Sequence, residues 1–129
     1  MTKVFIASRI GAKTKKQFEK NLNRMKAFAR FALLQGYEPE ATGIYYCQFM
    51  NDFDQKEREW GIERGQERLK ECKEIWVLED GMAFSEGVTR DRKIARENDL
   101  LERVWNVDTV ENYLKGNDPY GYELWLKSK

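Results

Sequence analysis

Short apolar runs alternate with longer amphipathic stretches along the 129 residues of the chain. Lys3–Ala7 and residues 74–78 are apolar almost throughout, which is typical of strands covered on both faces of a parallel sheet. Residues 37–41 predict a short strand, and Pro39 within it favours a position at the edge of the sheet. A last strand is predicted over residues 100–105.

The segments between these strands have the periodicity of amphipathic helices. Residues 14–35 place apolar side chains at alternating steps of four and three, which gives one stripe, and Gly36 is suited to end the helix. Three further helices are predicted over residues 55–73, 87–98 and 107–116. Residues 42–54 are predicted to form a loop rich in aromatic side chains, and residues 117–129 an aromatic, turn-rich tail.

This alternation of strands and helices implies an α/β fold. We predict a small doubly wound parallel sheet, flavodoxin- or Rossmann-like, with four to five strands flanked by helices and joined by right-handed crossovers. A chain of 129 residues suits a single domain with one core, so residues 1–129 are assigned to one domain. Ligands of such sheets bind at the carboxyl edge of the strands.

Composition excludes several classes of protein. Hydrophobic residues make up 41% of the chain and charged residues 35%, which is typical of a soluble globular domain. The net charge of +1 lacks the basic excess of nucleic-acid-binding domains, so no polymeric nucleic acid is expected as a partner. The apolar runs are too short to span a membrane, and a strand directly at the start predicts that there is no signal peptide.

Few residue types remain for chemistry. Histidine is absent, which removes Ser-His-Asp and Cys-His catalysis and nearly every transition-metal site. Chemistry carried out by a carboxylate nucleophile needs neither a metal nor another cofactor, so none is expected. Cys47 and Cys72 are widely spaced, which favours reduced thiols in a cytoplasmic protein. Acid–base or nucleophilic chemistry must therefore come from carboxylates, tyrosines, lysines or these cysteines.

The most specific chemical signal lies where the strand at residues 74–78 leads into the helix at residues 87–98. Ser85 and Gly87 stand where that helix begins, and a hydroxyl with bare backbone N–H groups there suits an anion. Asp91 follows one turn later, so its carboxylate can face the same crevice. This joint predicts an anion site beside a catalytic carboxylate.

The segment from Ser8 to Gly11 follows the first strand and opens at the same edge of the sheet if the two strands are neighbours. Ser8 offers a hydroxyl, Arg9 a planar fork for a phosphate, and Gly11 a close approach of the backbone. The alternative is an ordinary strand-to-helix turn with a solvated arginine. The presence of a second loop of the same kind favours phosphate binding.

Several other residues leave two interpretations open. Tyr45, Tyr46 and Phe49 can stack on a nucleobase, or they can fill the core or a subunit interface. Gly61 and Gly65 lie four residues apart in a predicted helix, where glycine is costly, so they either permit close packing or make room for a ligand.

The charged residues near these loops are also ambiguous. Arg90, Arg92 and Lys93 can neutralise a phosphate or form a solvated helix face in which Asp91 pairs with a cation. Glu86 is a rival carboxylate that can instead cap the helix. Solvated turn positions are predicted for Glu79, Asp80, Asp52 and Asp54.

Together these features resemble the nucleoside 2-deoxyribosyltransferase superfamily, in particular its small, often phage-encoded domains of unknown function. The similarity covers about residues 3–105. The shared landmarks are Val-Phe-Ile-Ala-Ser near the start, Phe-Ala-Leu-Leu-Gln-Gly-Tyr-Glu-Pro at the end of the first helix, the Gln48-Phe49 loop, the helix from Gly61 to Cys72, the Ile-Trp-Val strand and Ser85-Glu86-Gly87.

The resemblance implies roles for particular residues. The nucleophilic glutamate of the family falls at Asp91, whose side chain is one methylene shorter. The branch that hydrolyses nucleoside 5′-monophosphates has Ser-x-Gly-Val before its acid, as Ser85-Glu86-Gly87-Val88 does here, and Ser-Ile-Arg-Gly where this chain has Ser8-Arg9-Ile10-Gly11. Those loops hold the 5′-phosphate in that branch, whereas the transferases have an aspartate where Ser85 stands.

The expected function is therefore that of a nucleotide-binding protein, a nucleoside 5′-monophosphate N-glycosidase or deoxyribosyltransferase-like enzyme with a carboxylate nucleophile. The residues implied are Asp91 for catalysis, Ser8, Arg9, Gly11, Ser85 and Gly87 for the phosphate, and Tyr45, Tyr46 and Gly65 for the base or sugar. The alternatives are a non-catalytic module that binds or sequesters a nucleotide, and an interaction protein with a vestigial pocket. Family members commonly assemble, which implies a homodimer or a larger homo-oligomer.

Overall fold

A four-stranded, all-parallel sheet forms the centre of the computed structural model, which describes residues 1–129. Its strands are β1 (Lys3–Ala7), β2 (Glu38–Glu40), β3 (Glu74–Glu79) and β4 (Leu101–Asn106). They lie in the order β2-β1-β3-β4, with Phe5 opposite both Glu40 and Ile75. This arrangement confirms the predicted doubly wound α/β fold and places the Pro39 strand at an edge.

Six helices surround the sheet: α1 (Lys15–Leu34), α2 (Thr42–Cys47), α3 (Gln55–Leu69), α4 (Glu86–Glu97), α5 (Val107–Asn117) and α6 (Pro119–Lys127). Side-chain caps fix where several of them begin. Thr14 accepts a hydrogen bond from Gln17 N at 3.1 Å at the start of α1, and Asp54 accepts one from Glu57 N at 3.1 Å at the start of α3. Such caps satisfy backbone donors that have no partner inside the helix.

Two predicted irregular segments are helical. Residues 42–54 contain the six-residue helix α2, which is too short for its periodicity to be read from the sequence. The predicted tail contains α6, because Pro119 occupies its first turn, where a missing N–H costs nothing, and Trp125 is buried against α1. The prediction of a turn-rich tail was therefore wrong, since burial of the aromatic side chains decided the conformation.

Each face of the sheet has its own hydrophobic cluster. One cluster joins alternate residues of β1 and β3 with α1, α5 and α6, and its largest members are Phe28, Phe31, Trp76 and Trp125. The other joins Phe5, Ala7, Ile75 and Val77 with α3 and α4. The central strands are covered on both sides, which is why their sequences are apolar throughout.

The direction in which successive strands are added to the sheet reverses between β1 and β3. It leaves β1 through α1 on one face to reach β2, then returns through α3 on the opposite face to β3. The two loops that follow β1 and β3 therefore diverge to opposite faces, and a crevice opens between them at the carboxyl ends of the strands. None of the helices is both long and apolar enough to cross a membrane.

Candidate functional site

A cleft of about 480 Å³ occupies the crevice at the carboxyl ends of β1 and β3. Its walls come from the loop after β1, from α2, from one face of α3 and from the first turns of α4. The predicted site residues that line it are Ser8, Arg9, Gly11, Tyr46, Gly65, Ser85, Gly87 and Asp91. Residues far apart in the chain thus meet at one edge of the sheet.

The Ser8 hydroxyl has an unmet hydrogen-bonding capacity. Ser8 is only 7% exposed, lines the cleft and has no hydrogen-bond partner for its Oγ. Leaving such a group unpaired costs about 1–3 kcal/mol, and most buried polar groups in proteins are paired. A ligand that accepts a hydrogen bond from Ser8 would remove this cost.

The beginning of α4 contributes the second half of the predicted anion site. We call this site the anion cradle, and it consists of Ser8, Gly11, Ser85 and Gly87. Ser85 is the N-cap, and its Oγ accepts a hydrogen bond from Val88 N at 3.2 Å. Its hydroxyl proton remains available to donate, because capping uses only a lone pair of the oxygen. Gly87 lines the cleft in the first turn, where unpaired backbone N–H groups and the helix dipole favour negative charge.

Asp91 lies in the cleft without a partner. Its carboxylate forms no ion pair with a neighbouring cation, contrary to the alternative interpretation of the α4 charges. Burial raises the pKa of Asp91 to about 6, and the nearby Arg90 offsets this effect only in part. A carboxyl group withdrawn from water in a cleft is a signature of functional sites, because structural carboxylates are usually paired.

Arg9 serves a purpose that the sequence did not indicate. Its Nη2 donates a hydrogen bond to the carbonyl oxygen of Ala83 at 2.7 Å, and its Nε lies 3.7 Å from Oδ2 of Asp80. The guanidinium group thereby joins the loop after β1 to the loop after β3. Arg9 borders the cleft, but two of its nitrogens are directed at the neighbouring loop.

The two tyrosines predicted to contact a base differ in position. Tyr46 lines the cleft, whereas Tyr45 lies outside it and is 55% exposed. Tyr45 instead packs edge-on against Tyr46 and Phe49, with ring centroids 5.0 and 5.3 Å away. The assignment of Tyr45 to the base site therefore does not agree with the structure, because successive residues of α2 point in different directions.

The two glycines of α3 differ in their surroundings. A Cβ built at Gly61 would have no atom within 4 Å, and one at Gly65 would lie 3.9 Å from Cγ2 of Thr42. Both glycines line the cleft. The structure therefore agrees with open space at Gly61, whereas Gly65 is buried and packs at ordinary van der Waals distance against Thr42.

Sequence reasoning missed two cleft residues and left a third ambiguous. Arg58 lies so near the β1 loop that a Cβ at Gly11 would be 2.9 Å from its Nη2. Asp52, predicted to be solvated, lines the cleft, and burial raises its pKa while Arg58 opposes the rise. Arg90 also lines the cleft, and its Nε is buried without a partner.

A sequence signal for Arg58 existed in its spacing. It precedes Gly61 by three residues and Gly65 by seven, which places all three on one face of α3. The other basic residues of α4 are accounted for differently. Arg92 donates to both carboxylate oxygens of Glu102 at 2.7 and 3.1 Å, and Lys93 is exposed away from the cleft.

The cleft combines hydrogen-bond donors suited to a phosphate ester with several carboxylates. No set of three or more His, Cys, Asp or Glu side chains is arranged to coordinate a metal. Hydroxyl, backbone N–H and guanidinium donors line the cleft together with four carboxylates, those of Asp52, Glu57, Glu86 and Asp91. This combination can bind an anion and present a nucleophile or base to whatever the anion is attached to.

The chain belongs to a protein family described as "Domain of unknown function (DUF7768)", whose model matches residues 2–104. No curated protein matches the chain. The matched segment runs from before β1 into β4 and contains every cleft residue discussed above, whereas α5 and α6 lie beyond it.

Proposed function

We propose that this protein binds a nucleoside 5′-monophosphate and cleaves its N-glycosidic bond, as an N-glycosidase or a deoxyribosyltransferase-like enzyme. The observation that carries the proposal is the meeting of an unpaired buried hydroxyl, a helix N-terminus and an unpaired carboxylate in one cleft. The motif resemblance to the nucleoside 5′-monophosphate hydrolases supports the same assignment.

The phosphate would occupy the cradle formed by Ser8, Gly11, Ser85 and Gly87. The Ser8 hydroxyl gains its missing acceptor there, and the α4 dipole favours the negative charge. Arg58 of α3 and Arg90 of α4 line the same cleft and would supply charge-assisted donors. Arg9 acts as a positioning residue, because its bond to Ala83 fixes the segment that leads into Ser85.

Asp91 would attack the anomeric carbon of the sugar. A bond forms between its carboxylate oxygen and that carbon while the bond to the base nitrogen breaks, and the base leaves with the electron pair and takes up a proton. Water then hydrolyses the resulting ester, or a second base displaces it. A pKa of about 6 leaves most of the carboxylate ionised at pH 7 but makes it more basic than an ordinary aspartate.

The direct test is to incubate the protein with the common 2′-deoxynucleoside and ribonucleoside 5′-monophosphates and to measure free base by chromatography. We expect base release from at least one of them, with a preference for 2′-deoxy sugars, and none from Asp91→Ala. If no monophosphate releases base, or if the variant equals the wild type, the catalytic proposal is wrong.

A matched pair of variants tests where the base binds. Tyr46→Ala should weaken nucleotide binding about 10-fold, because base stacking on an aromatic ring contributes about 1–3 kcal/mol. Tyr45→Ala, which removes the neighbouring ring outside the cleft, should change the Kd less than about 2-fold. Equal effects of the two variants would contradict the assignment of the base to the cleft.

The alternative function is sequestration of a nucleotide without turnover, and the residue at position 91 favours it. An aspartate there reaches less far than the glutamate of the resembling enzymes. Calorimetry with the same monophosphates separates the two functions, since sequestration requires tight binding with no free base. Asp91→Glu would then be expected to introduce base release that the wild type lacks.

We also propose that the chain assembles into a homodimer or a larger homo-oligomer. Large apolar side chains are exposed beside the mouth of the cleft on α2, α3 and the loop between them: Tyr45, Phe49, Phe53 and Trp60. Contiguous exposed aromatic side chains favour association. Light scattering should give a mass above 15.4 kDa, and replacement of Phe49 by Ser should shift it towards the monomer.

A further inference from the structure

A second, smaller cavity lies directly behind the anion cradle. It has a volume of about 110 Å³ and shares Ser8, Arg9, Ser85 and Val88 with the main cleft. Residues of α1 and the end of the chain complete it, among them Asn21, Arg24 and Ser128. The serine pair therefore stands between two cavities, and the Ser8 hydroxyl without a partner borders both.

The second cavity contains guanidinium donors with unused capacity. Arg24 donates from Nε to Oγ of Ser128 at 3.0 Å and stacks over the Trp125 ring at 4.5 Å, which fixes its position. Its two terminal nitrogens donate to no protein acceptor. The Nε of Arg9 is likewise buried without a hydrogen-bond partner. The terminal nitrogens of Arg24 therefore have unused donor capacity at this cavity, whereas Arg9 Nε lies 3.7 Å from Oδ2 of Asp80.

The net charge of the cavity also favours an anion. Its lining contains two guanidinium groups and a single carboxylate, that of Asp80. Asp80 is partly committed elsewhere, since its Oδ1 accepts a hydrogen bond from Met82 N at 3.0 Å and its Oδ2 lies 3.7 Å from Arg9 Nε. A volume of about 110 Å³ is sufficient for a single tetrahedral group.

We propose that the second cavity binds the terminal phosphoryl group of a nucleoside 5′-diphosphate, whose first phosphoryl group lies at Ser8 and Ser85. The inference rests on the proposed nucleotide function and narrows its ligand class from monophosphates to diphosphates. Arg24 is the residue that should distinguish diphosphates from monophosphates, because it borders only the second cavity. A pyrophosphate group offers the terminal nitrogens of Arg24 the acceptors that the protein itself does not supply.

The test is calorimetry on the intact protein with the four common 2′-deoxynucleoside 5′-monophosphates, the corresponding diphosphates and inorganic pyrophosphate. For the base that binds best, the diphosphate should bind at least 10-fold more tightly than the monophosphate. Arg24→Gln should reduce this ratio to about one, whereas Arg64→Gln, an exposed arginine of α3 outside both cavities, should preserve it.

Asp80→Asn provides a variant with the opposite expected sign. It keeps an acceptor for Met82 N but removes the only negative charge of the second cavity, so the preference for the diphosphate should increase. Arg24→Gln could fail to fold because Arg24 packs on Trp125. In that case the ratio of monophosphate to diphosphate Kd, compared between the wild type and Asp80→Asn, still tests the inference.

The outcomes separate the two proposals. Equal binding of monophosphate and diphosphate by the wild type would overturn the diphosphate inference and leave the monophosphate function in place. Absence of binding by either class would reject both. A ratio above 10 that Arg24→Gln abolishes supports the inference, and one that a folded Arg24→Gln or Asp80→Asn leaves unchanged contradicts it.

Discussion

Asp118 is buried and Asp91 is partly buried, but their surroundings are opposite. Asp118 accepts hydrogen bonds of 2.8 Å from both Nε and Nη2 of Arg30 between α5 and α6. Those bonds hold the pKa of Asp118 below its usual range, whereas burial without a partner raises the pKa of Asp91 to about 6. The same residue type therefore stabilises the fold at one place and is held in a costly state at the other.

The difference extends to the surroundings of the two aspartates. Near Asp118 the polar groups of the α5–α6 region are paired, as in the contacts of Glu111 with Trp125 and Lys129. Three of the five buried side-chain polar atoms without a hydrogen-bond partner belong to the cleft, on Ser8, Arg9 and Arg90, and the other two belong to Gln35 and Trp105. Unsatisfied polar atoms concentrated in one cavity are expected where a ligand completes the hydrogen bonds.

The largest expected effect concerns catalysis. Asp91→Asn should lower base release at least about 100-fold, because an amide cannot act as the nucleophile. Asp118→Asn should change turnover less than about 2-fold, since that residue lies in the α5–α6 region, outside the cleft. Chromatographic measurement of the free base checks both variants. Comparable losses in the two would remove the functional distinction between the aspartates.

The next effect tests how closely the paired region is packed. A Cβ at Gly121 would overlap the carboxylate of Asp118 and lie 3.0 Å from Cδ2 of Leu114, so Gly121→Ala should destabilise the protein by about 2–3 kcal/mol. Gly116→Ala is the control, because no atom lies within 4 Å of its built Cβ, and it should raise stability slightly. Urea denaturation measures both, and a neutral Gly121→Ala would argue against close packing.

Replacement of Asp91 by asparagine is expected to change the free energy of unfolding less than Gly121→Ala does, and in the opposite direction. Because its folded-state pKa is raised, ionisation destabilises the fold at neutral pH, and this penalty disappears as the pH falls from about 6 to about 4. Asp91→Asn should therefore raise the free energy of unfolding on the order of 2 kcal/mol at pH 7 and hardly change it at pH 4. Thermal denaturation at the two pH values checks this, and a destabilised variant at pH 7 would contradict it.

The smallest expected effect is the loss of stability caused by Asp118→Asn. Its folded-state pKa is lowered, so its contribution is fully present above the unfolded pKa near 4 and is lost as the pH falls through the lower folded value. Asp118→Asn should cost about 1 kcal/mol at both pH 7 and pH 5, because half-exposed Arg30 remains solvated. A cost that disappears between pH 7 and pH 5 would indicate that the two aspartates titrate alike.

The sequence pattern within a few residues was sufficient to predict those strands and helices that have a clear apolar run, an apolar stripe or a capping residue of their own. The apolar runs of β1 and β3, the stripe of α1 and the Ser85 cap all depend on neighbours within a few residues. The α2 and α6 helices were missed for a physical reason. One is too short for periodicity, and the other is stabilised by Trp125 packing on α1, far away in sequence.

Candidate loops could likewise be recognised from residue types, because hydroxyl and glycine residues at a strand-to-helix joint favour anions wherever they occur. Which of two adjacent tyrosines faces the cleft could not be predicted, since no strong periodicity fixes the orientation of a six-residue helix. The hydrogen bond between Arg9 and Ala83 could not be predicted either, because its partners are separated by 74 residues.

The sequence by itself determined the α/β class, the two loops at the carboxyl edge and the absence of histidine chemistry, because each depends on residue identity or short-range spacing. Only the tertiary structure decided that β1 and β3 are neighbours, that Asp91 has no partner while Asp118 has two hydrogen bonds, and that Arg24 stands behind the serines. Pairing and burial are properties of the space around a side chain, and that space is created by segments distant in the chain.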